Sequence, residues 1–208
     1  MIIITLFELN HNPGTGIFTV ISNDEAPCPL CCGDLAYRDR VRRNRKDLFG
    51  ETYLFSLRRL KCRRCSRHHR ELPNIIQPFK HYDSETIQCV IDGSPDADMC
   101  AADDSTIRRW KTTFAESEPD ISMRIASIQA RTYGEKIPAA DAESFLGMIK
   151  GKEKQWLAFV MALLINGGHA LRTRFAFCPP DIRGIVSIKL KTKTEGGQKI
   201  DKTFDDSS

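Results

Sequence analysis

The chain has 208 residues, a net charge of +4 and 41% hydrophobic residues, an ordinary balance for a globular protein of one or two domains. No stretch approaches 18 consecutive apolar residues, so the sequence predicts no membrane-spanning helix. The apolar start MIIITLFELN has no basic segment and no small-residue cleavage site, which argues against a signal peptide and favours a cytoplasmic protein. Paired cysteines in that reducing compartment favour a metal over disulfides.

The N-terminal segment predicts a β-hairpin. Residues 2–9 and 16–22 are rich in β-branched residues, and Asn12, Pro13 and Gly14 between them are turn residues. We expect this hairpin to lead into the first cysteine pair.

Two Cys-x-x-Cys pairs with thirty residues between them are the strongest motif: Cys28 and Cys31, then Cys62 and Cys65. Four thiolates at this spacing can surround one tetrahedral Zn²⁺, so zinc is the predicted cofactor. A redox role for either pair is disfavoured because neither lies in a βαβ pattern. Two substitute ligands stay open: the adjacent thiol Cys32, which we interpret as a packing residue, and His68, which follows the second pair.

Between the two pairs, residues 35–42 and 52–60 predict antiparallel strands joined by a polar bridge, residues 44–50. With the metal they would form a zinc ribbon, in which the metal replaces a core that so small a unit cannot build. Tyr53 and Phe55 are the only aromatic residues near its basic face, which gives base stacking little support.

The ribbon is also strongly basic. Residues 38–70 contain thirteen Lys or Arg and three acids, a net +10, so the remainder of the chain carries −6. Such a block indicates a surface that binds a polyanion, although a solvated charged hairpin is the alternative. The arginines predicted to contact phosphates are Arg40, Arg42, Arg43, Arg45, Arg58, Arg59, Arg63, Arg64 and Arg67.

Residues 71–82 predict an irregular connector, followed by a helix from Asp83 or Ser84 to Gly93 and a short helix within 94–102. The next helix, capped within residues 103–105, places apolar residues on one side and basic residues on the other, as a recognition helix requires. An ordinary amphipathic helix is the alternative. Its predicted nucleic-acid contacts are Ser105, Thr106, Arg108, Arg109 and Thr112.

In the C-terminal half, Pro119 predicts a helix break, followed by helices over residues 121–132, from residue 141 and over residues 153–165. The last is apolar almost all round, so we expect a bundle centre or a partner interface. Two extended segments, 173–178 and 184–190, should precede a disordered tail. The predicted fold class is α+β, with four units: a hairpin and zinc ribbon (1–72), a helix-turn-helix-like unit (73–118), a helical region (119–190) and the tail (191–208).

No catalytic set is evident, so the sequence does not predict an enzyme. Five aspartates cluster near helix caps, where aspartates are usually capping groups: Asp92, Asp96, Asp98, Asp103 and Asp104. A metal-dependent nuclease built on them stays an alternative.

The segments CPLC, RRLKCRRCSRHHRELPNIIQPFKHYDSETI, STIRRW and TRFAF resemble a family of uncharacterised bacterial proteins, found mainly in Firmicutes and their mobile elements. That family looks like the zinc-ribbon and helix-turn-helix front end of a transposase without a catalytic domain. The resemblance covers residues 28–114, with weaker similarity to residue 177. It implies zinc on the four paired cysteines, and Ser105, Thr106, Arg108 and Arg109 on a recognition helix. Cys32 departs from it, because a small residue is expected there.

The sequence therefore predicts a zinc-containing protein of a mobile element or phage that binds double-stranded DNA. One alternative is an adaptor that docks on a transposase, recombinase or RNA polymerase, with residues 153–166 as the partner surface. Another is an RNA-binding ribbon. The oligomeric state stays open.

Overall fold

The structure, a computed structural model, describes residues 1–133 and 139–168. Strands come first and helices follow, so the chain is a mixed α/β protein, consistent with the predicted α+β class. The strands are β1 (Ile2–Ile4), β2 (Phe7–Asn12), β3 (Ile17–Ser22), β4 (Leu35–Lys46), β5 (Thr52–Cys62) and β6 (His68–Pro73). The helices are α1 (Ser84–Asp92), α2 (Asp104–Tyr133), α3 (Ala139–Lys152) and α4 (Trp156–Asn166), with a short 3-10 helix at Pro95–Met99. The predicted segments 173–178 and 184–190 and the tail 191–208 lie outside the described residues.

Strand β5 is the centre of the sheet. β4 pairs antiparallel along one edge of β5, while the other edge is shared by β6, at residues 59–61, and β3, at residues 54–56. β1 extends the sheet beyond β6, and β2 extends it beyond β3. The predicted hairpins are therefore present, and β4–β5 is longer than predicted, because β4 continues to Lys46 and leaves a shorter loop.

Two strand predictions need correction. The segment 2–9 is not one strand, because the backbone N–H groups of Thr5 and Leu6 both donate to the Asp24 carboxylate and leave the sheet between β1 and β2. The predicted connector also begins later than residue 71, because residues 71–73 belong to β6 and pair with β1.

The predicted break at Pro119 is wrong. Helix α2 runs through Pro119 for 30 residues, and the predicted domain boundary at 118/119 falls inside it. A proline inside a helix removes one hydrogen bond and costs about 3 kcal/mol. The apolar stripe of Ile107, Trp110 and Phe114 continues at helical spacing beyond the proline, through Ile121, Ile125 and Ile128. Burial of this stripe against α1, α3 and α4 offsets the local cost.

The helical half packs on β1 through α4. The Asn166 side chain accepts from the Ile3 backbone N–H and donates to the Ile3 carbonyl, each at 2.8 Å, so it pairs with the free edge of β1 as a neighbouring strand would. Trp156, at the start of α4, donates its indole N–H to Asp92 at the end of α1. In the part of the chain that the structure describes, no helix combines the length and apolar character needed to cross a membrane.

Asp83 joins the β4–β5 hairpin to the helices. One carboxylate oxygen accepts from the Thr86 backbone N–H at 2.7 Å and so caps α1, as predicted. The other accepts from Arg45 on β4, with Nη2 at 2.6 Å and Nε at 3.1 Å. Asp83 is buried, so the contacts with Arg45 and Thr86 are both needed to offset the desolvation of its carboxylate.

We predict that Asp83→Ala lowers the free energy of unfolding by about 3 kcal/mol, because it removes the cap and leaves the Arg45 guanidinium unpaired. Asp83→Asn should cost less, since asparagine also caps helices but cannot pair with Arg45. Chemical denaturation of both variants measures this difference. Asp98→Ala, at an exposed position, is the control and should change stability by less than about 0.5 kcal/mol. Equal losses for the two Asp83 variants would contradict the capping role, and a negligible loss for Asp83→Asn would contradict the role given to the Arg45 pair.

Candidate metal centre

The first cysteine pair lies on a tight knuckle after β3. The Cys28 backbone N–H donates to the Gly33 carbonyl at 3.0 Å, and the Cys32 N–H donates back to the Cys28 carbonyl at 2.8 Å. Cys32 has a positive φ of 57°, which lets the chain reverse directly after Cys31.

The second pair, between β5 and β6, repeats these bonds. The Cys62 N–H donates to the Arg67 carbonyl at 2.8 Å, and the Ser66 N–H donates to the Cys62 carbonyl at 3.0 Å. Ser66 also has a φ of 57°. The two pairs therefore lie on equivalent turns that face each other across the end of the β4–β5 hairpin.

These turns bring together the four predicted thiols, those of Cys28, Cys31, Cys62 and Cys65, whose Sγ atoms all lie within 4.8 Å of one another. Across the two knuckles, Cys28 Sγ is 3.7 Å from Cys65 Sγ, and Cys31 Sγ is 3.5 Å from Cys62 Sγ. A tetrahedron with Zn–S bonds of about 2.3 Å has S–S edges of about 3.8 Å. The donor set and spacing therefore fit a metal ion that prefers tetrahedral thiolate coordination. Cys32 is not among the four.

Gly33 makes room for this cluster. A Cβ at this position would lie 2.6 Å from the Cβ of Arg64 and 3.2 Å from the Sγ of Cys62. Any larger residue would push the two knuckles apart, so Gly33 belongs to the site, although the cysteine spacing alone does not identify it.

The four thiols do not share one environment. Burial raises the pKa of Cys28 to about 12, against the opposing effect of backbone N–H groups in its own knuckle. Burial also acts to raise the pKa of Cys62, but the backbone N–H groups of Cys65 and Arg64, together with the thiols of Cys31 and Cys65, outweigh it and bring that pKa to about 7. A metal must therefore displace protons from the cluster, so its affinity should increase with pH.

His69, and not the predicted alternative His68, lies against the cluster. Its Nε2 is 3.3 Å from Cys28 Sγ, and its Nδ1 is 3.1 Å from the backbone amine of Met1. In its ammonium form that amine can only donate, which places the ring proton on Nε2, facing the Cys28 sulfur. Burial, followed by the charge of the amine, lowers the pKa of His69 to about 4 and keeps the ring neutral. His68 is exposed and contacts Arg38.

In metal sites, hydrogen-bond donors outside the ligand set contact the ligands and orient them. A neutral His69 ring that donates to the Cys28 sulfur would have this role. His69 reaches this position because it pairs with Leu60 across β5 and β6 and points to the opposite face of the sheet from His68.

Five of the predicted phosphate-binding arginines have partners within the chain. Arg45 pairs with Asp83, Arg58 with Glu71 and Arg59 with Asp39. Arg40 donates to backbone carbonyls of residues 20 and 56, and Arg43 to those of residues 77 and 80. Much of the sequence's basic block therefore stabilises the hairpin.

The other four predicted arginines are all exposed. The side chains of Arg42, Arg63 and Arg67 are exposed, and none of them makes a hydrogen bond or ion pair with a described residue. Arg64 is exposed too and donates to the Cys31 carbonyl at 3.1 Å, which ties one knuckle to the other. The metal end of the hairpin thus carries a basic rim, defined here as Arg63, Arg64 and Arg67.

On α2, the predicted contacts lie in the first turns of the helix. Thr106 donates its backbone N–H and its hydroxyl to the Asp103 carboxylate, so Asp103 is the cap. Ser105 also donates to Asp103, and Arg109 donates to the Thr106 hydroxyl. Arg108, Arg109 and Thr112 are exposed.

Residues 28–110 match a protein-family model described as "Domain of unknown function (DUF6431)". The match includes both cysteine pairs, the hairpin between them, α1 and the first turns of α2. Searches of curated proteins and of solved structures found no match for the chain. The comparison supports the resemblance to an uncharacterised domain, and the mobile-element origin stays a prediction.

We predict that the purified protein holds one Zn²⁺ and that Cys62→Ser loses it, because a tetrahedral site cannot close on three thiolates alone with the same affinity. Cys32→Ser is the matched control, since its thiol adjoins the site without belonging to it, and it should retain full metal content. Elemental analysis after dialysis against a weak chelator measures both. Metal loss in Cys32→Ser and retention in Cys62→Ser would contradict the ligand set.

We predict that His69→Leu weakens metal affinity by about 10- to 100-fold, because Cys28 loses the donor that orients its sulfur. His69→Gln should recover part of this loss, since its side-chain amide can donate from a similar position. His68→Leu, one residue away on the opposite face, should have no effect. Competition with a chromogenic chelator gives the three affinities, and equal values for the His68 and His69 variants would refute the role.

Proposed function

We propose that this protein is a metal-stabilised DNA-binding protein in which the cysteine cluster holds the basic rim in place. The observation that carries this proposal is the exposure of Arg63 and Arg67 on a knuckle built by the candidate metal ligands. Their side chains make no hydrogen bond or ion pair with a described residue, while the carboxylates of Asp39 and Glu71 pair with Arg59 and Arg58. Unneutralised guanidinium groups on a fixed turn suit contacts with phosphates.

The helical end of the hairpin supplies a second basic region. The loop between β4 and β5 reaches the start of α2, where the Ala101 backbone N–H donates to the Leu48 carbonyl. Tyr82 also packs edge-to-face on Trp110 of α2. β5, which runs from one region to the other, has 11 residues and is about 33 Å long. That length is similar to one turn of B-DNA, about 34 Å, so the rim and Arg108 on α2 could contact one duplex at separate phosphates.

RNA binding through the same surface stays an alternative, because phosphate contacts do not distinguish the two polymers. Docking on a protein through residues 153–166 also stays a prediction, although eight α4 residues are already buried within the chain. A regulatory or transposition-related role in a mobile element rests on the sequence resemblance alone.

We predict duplex-DNA binding that weakens steeply with salt, and a reduced salt dependence for the double variant Arg63→Ala/Arg67→Ala. Each lost phosphate contact should lower the slope of log affinity against log salt by about 0.9, so the double variant should lose about two. Lys152→Ala/Lys154→Ala removes the same charge from exposed positions around the end of α3 and is the control. Fluorescence anisotropy over a salt series measures the slopes.

A wild-type protein that holds metal but binds no DNA would refute the proposed function. Equal slopes for the two double variants would refute only the assignment of the contacts to the basic rim. A duplex RNA of the same sequence, titrated alongside, distinguishes the RNA-binding alternative.

A further inference from the structure

The turn at residues 77–80, between β6 and α1, presents an aromatic ring in an unusual way. The Lys80 backbone N–H donates to the Gln77 carbonyl at 3.3 Å, which closes a four-residue turn with Pro78 second and Phe79 third. Phe79 has a φ of 60°. Type II turns place a positive φ at the third position and usually fill it with glycine, so a bulky aromatic residue is strained there.

The Phe79 side chain is 60% exposed, although Gln77 and Pro78 beside it are buried. If the Phe79 ring packed in the core, its burial would offset the cost of the strained backbone. Because the ring is exposed, burial offsets little of that cost. Strained residues without a packing reason are concentrated at functional sites.

Arg43 of β4 holds the turn in place through two hydrogen bonds. Its Nη2 donates to the Lys80 carbonyl at 2.6 Å and to the Gln77 carbonyl at 3.4 Å, so one guanidinium holds both ends of the turn. Phe79 is therefore presented on a rigid support that belongs to the same hairpin as the metal centre.

Cations surround this support. Burial lowers the pKa of Lys80, and the charge of Arg109 on α2 lowers it further. Burial also lowers the pKa of Arg43, followed by the charge of Arg70. The buried Nε atoms of Arg43 and Arg70 have no hydrogen-bond partner among the described residues. Lys80 therefore lies near Arg109 of α2, and Arg43, which bonds the Lys80 carbonyl, lies near Arg70 of β6. An anion beside either pair would relieve the repulsion within it.

An exposed aromatic face beside clustered cations matches the chemistry of a nucleotide, whose base stacks and whose phosphate pairs with the cations. The bases of an intact duplex are already stacked on one another and offer no free face. We propose that Phe79 is a stacking platform for an unpaired base of the bound nucleic acid, with the adjacent phosphate on Lys80 and Arg109. This inference rests on the proposed function and adds that the preferred substrate contains an unpaired nucleotide.

The test compares two probes, a blunt DNA duplex and the same duplex carrying a single unpaired 2-aminopurine. Wild-type protein should bind the second probe more tightly and quench its fluorescence through stacking. Phe79→Ala should reduce that preference by about 10-fold and leave the blunt-duplex affinity unchanged. Phe79→Trp should keep both the preference and the quenching. Phe49→Ala removes another ring, 65% exposed in the β4–β5 loop, and should change neither.

Phe79→Gly separates a binding role from a structural one. Glycine adopts this backbone conformation without strain, so the variant should unfold at a higher temperature than the wild type while losing the preference as alanine does. A ring needed only for the fold would give the opposite, a lower unfolding temperature.

Phe79→Ala with an unchanged preference, or a wild type that binds both probes equally, would overturn the inference and leave the proposed function standing. An exposed ring that serves a protein partner would give that result. A wild type that binds neither probe would overturn both proposals together.

Discussion

The closure of two cysteine knuckles on each other is the constraint on which the N-terminal half depends. Every residue of β4 is exposed or only partly buried, so the strand contributes little to the core, although it pairs with β5 over its whole length. At the far end of the hairpin, Asp83 and the helices hold it in place. At the near end, Gly33 and the four thiols take the place of a core. A metal bound there contributes directly to the folding free energy of this region.

The basic residues of the hairpin fall into two groups, those that pair with carboxylates inside the structure and those that are exposed at the surface. Arg45, Arg58 and Arg59 each meet a carboxylate, and Asp83 and Glu71 are buried, so these pairs fix neighbouring elements to the sheet. Removal of one member would leave a buried charge without compensation. The basic rim has no such partners among the described residues apart from one backbone carbonyl. A net charge of +10 over residues 38–70 therefore overstates the cationic surface, and the position of each guanidinium decides what it can bind.

The features predicted correctly from the sequence depend on short-range chemistry. Ligand spacing identified the four cysteines, and Asp83 and Gly93 marked the ends of α1 because caps act within one turn. The errors arise where distant segments decide the outcome. Pro119 lies inside a helix because packing against α3 and α4 outweighs its local cost. His69 replaces His68 beside the cysteine cluster because the pairing of β5 with β6 sets which histidine faces inward. The exposure of Phe79 depends on the turn that Arg43 holds, and no local sequence pattern predicts it.

Strand β4 connects these features physically. It begins two residues after Gly33 in the first knuckle, and its Arg43 holds the turn that presents Phe79. Because β4 has no buried residue, its position depends on its pairing with β5 and on the contacts at its two ends. If the cysteine cluster binds a metal, its loss would free one of those ends, and the Phe79 turn would then lose part of its support at the other end of the hairpin. In this arrangement the cysteine cluster does more than stabilise a small fold, because it also fixes the strand that supports the proposed base-binding turn.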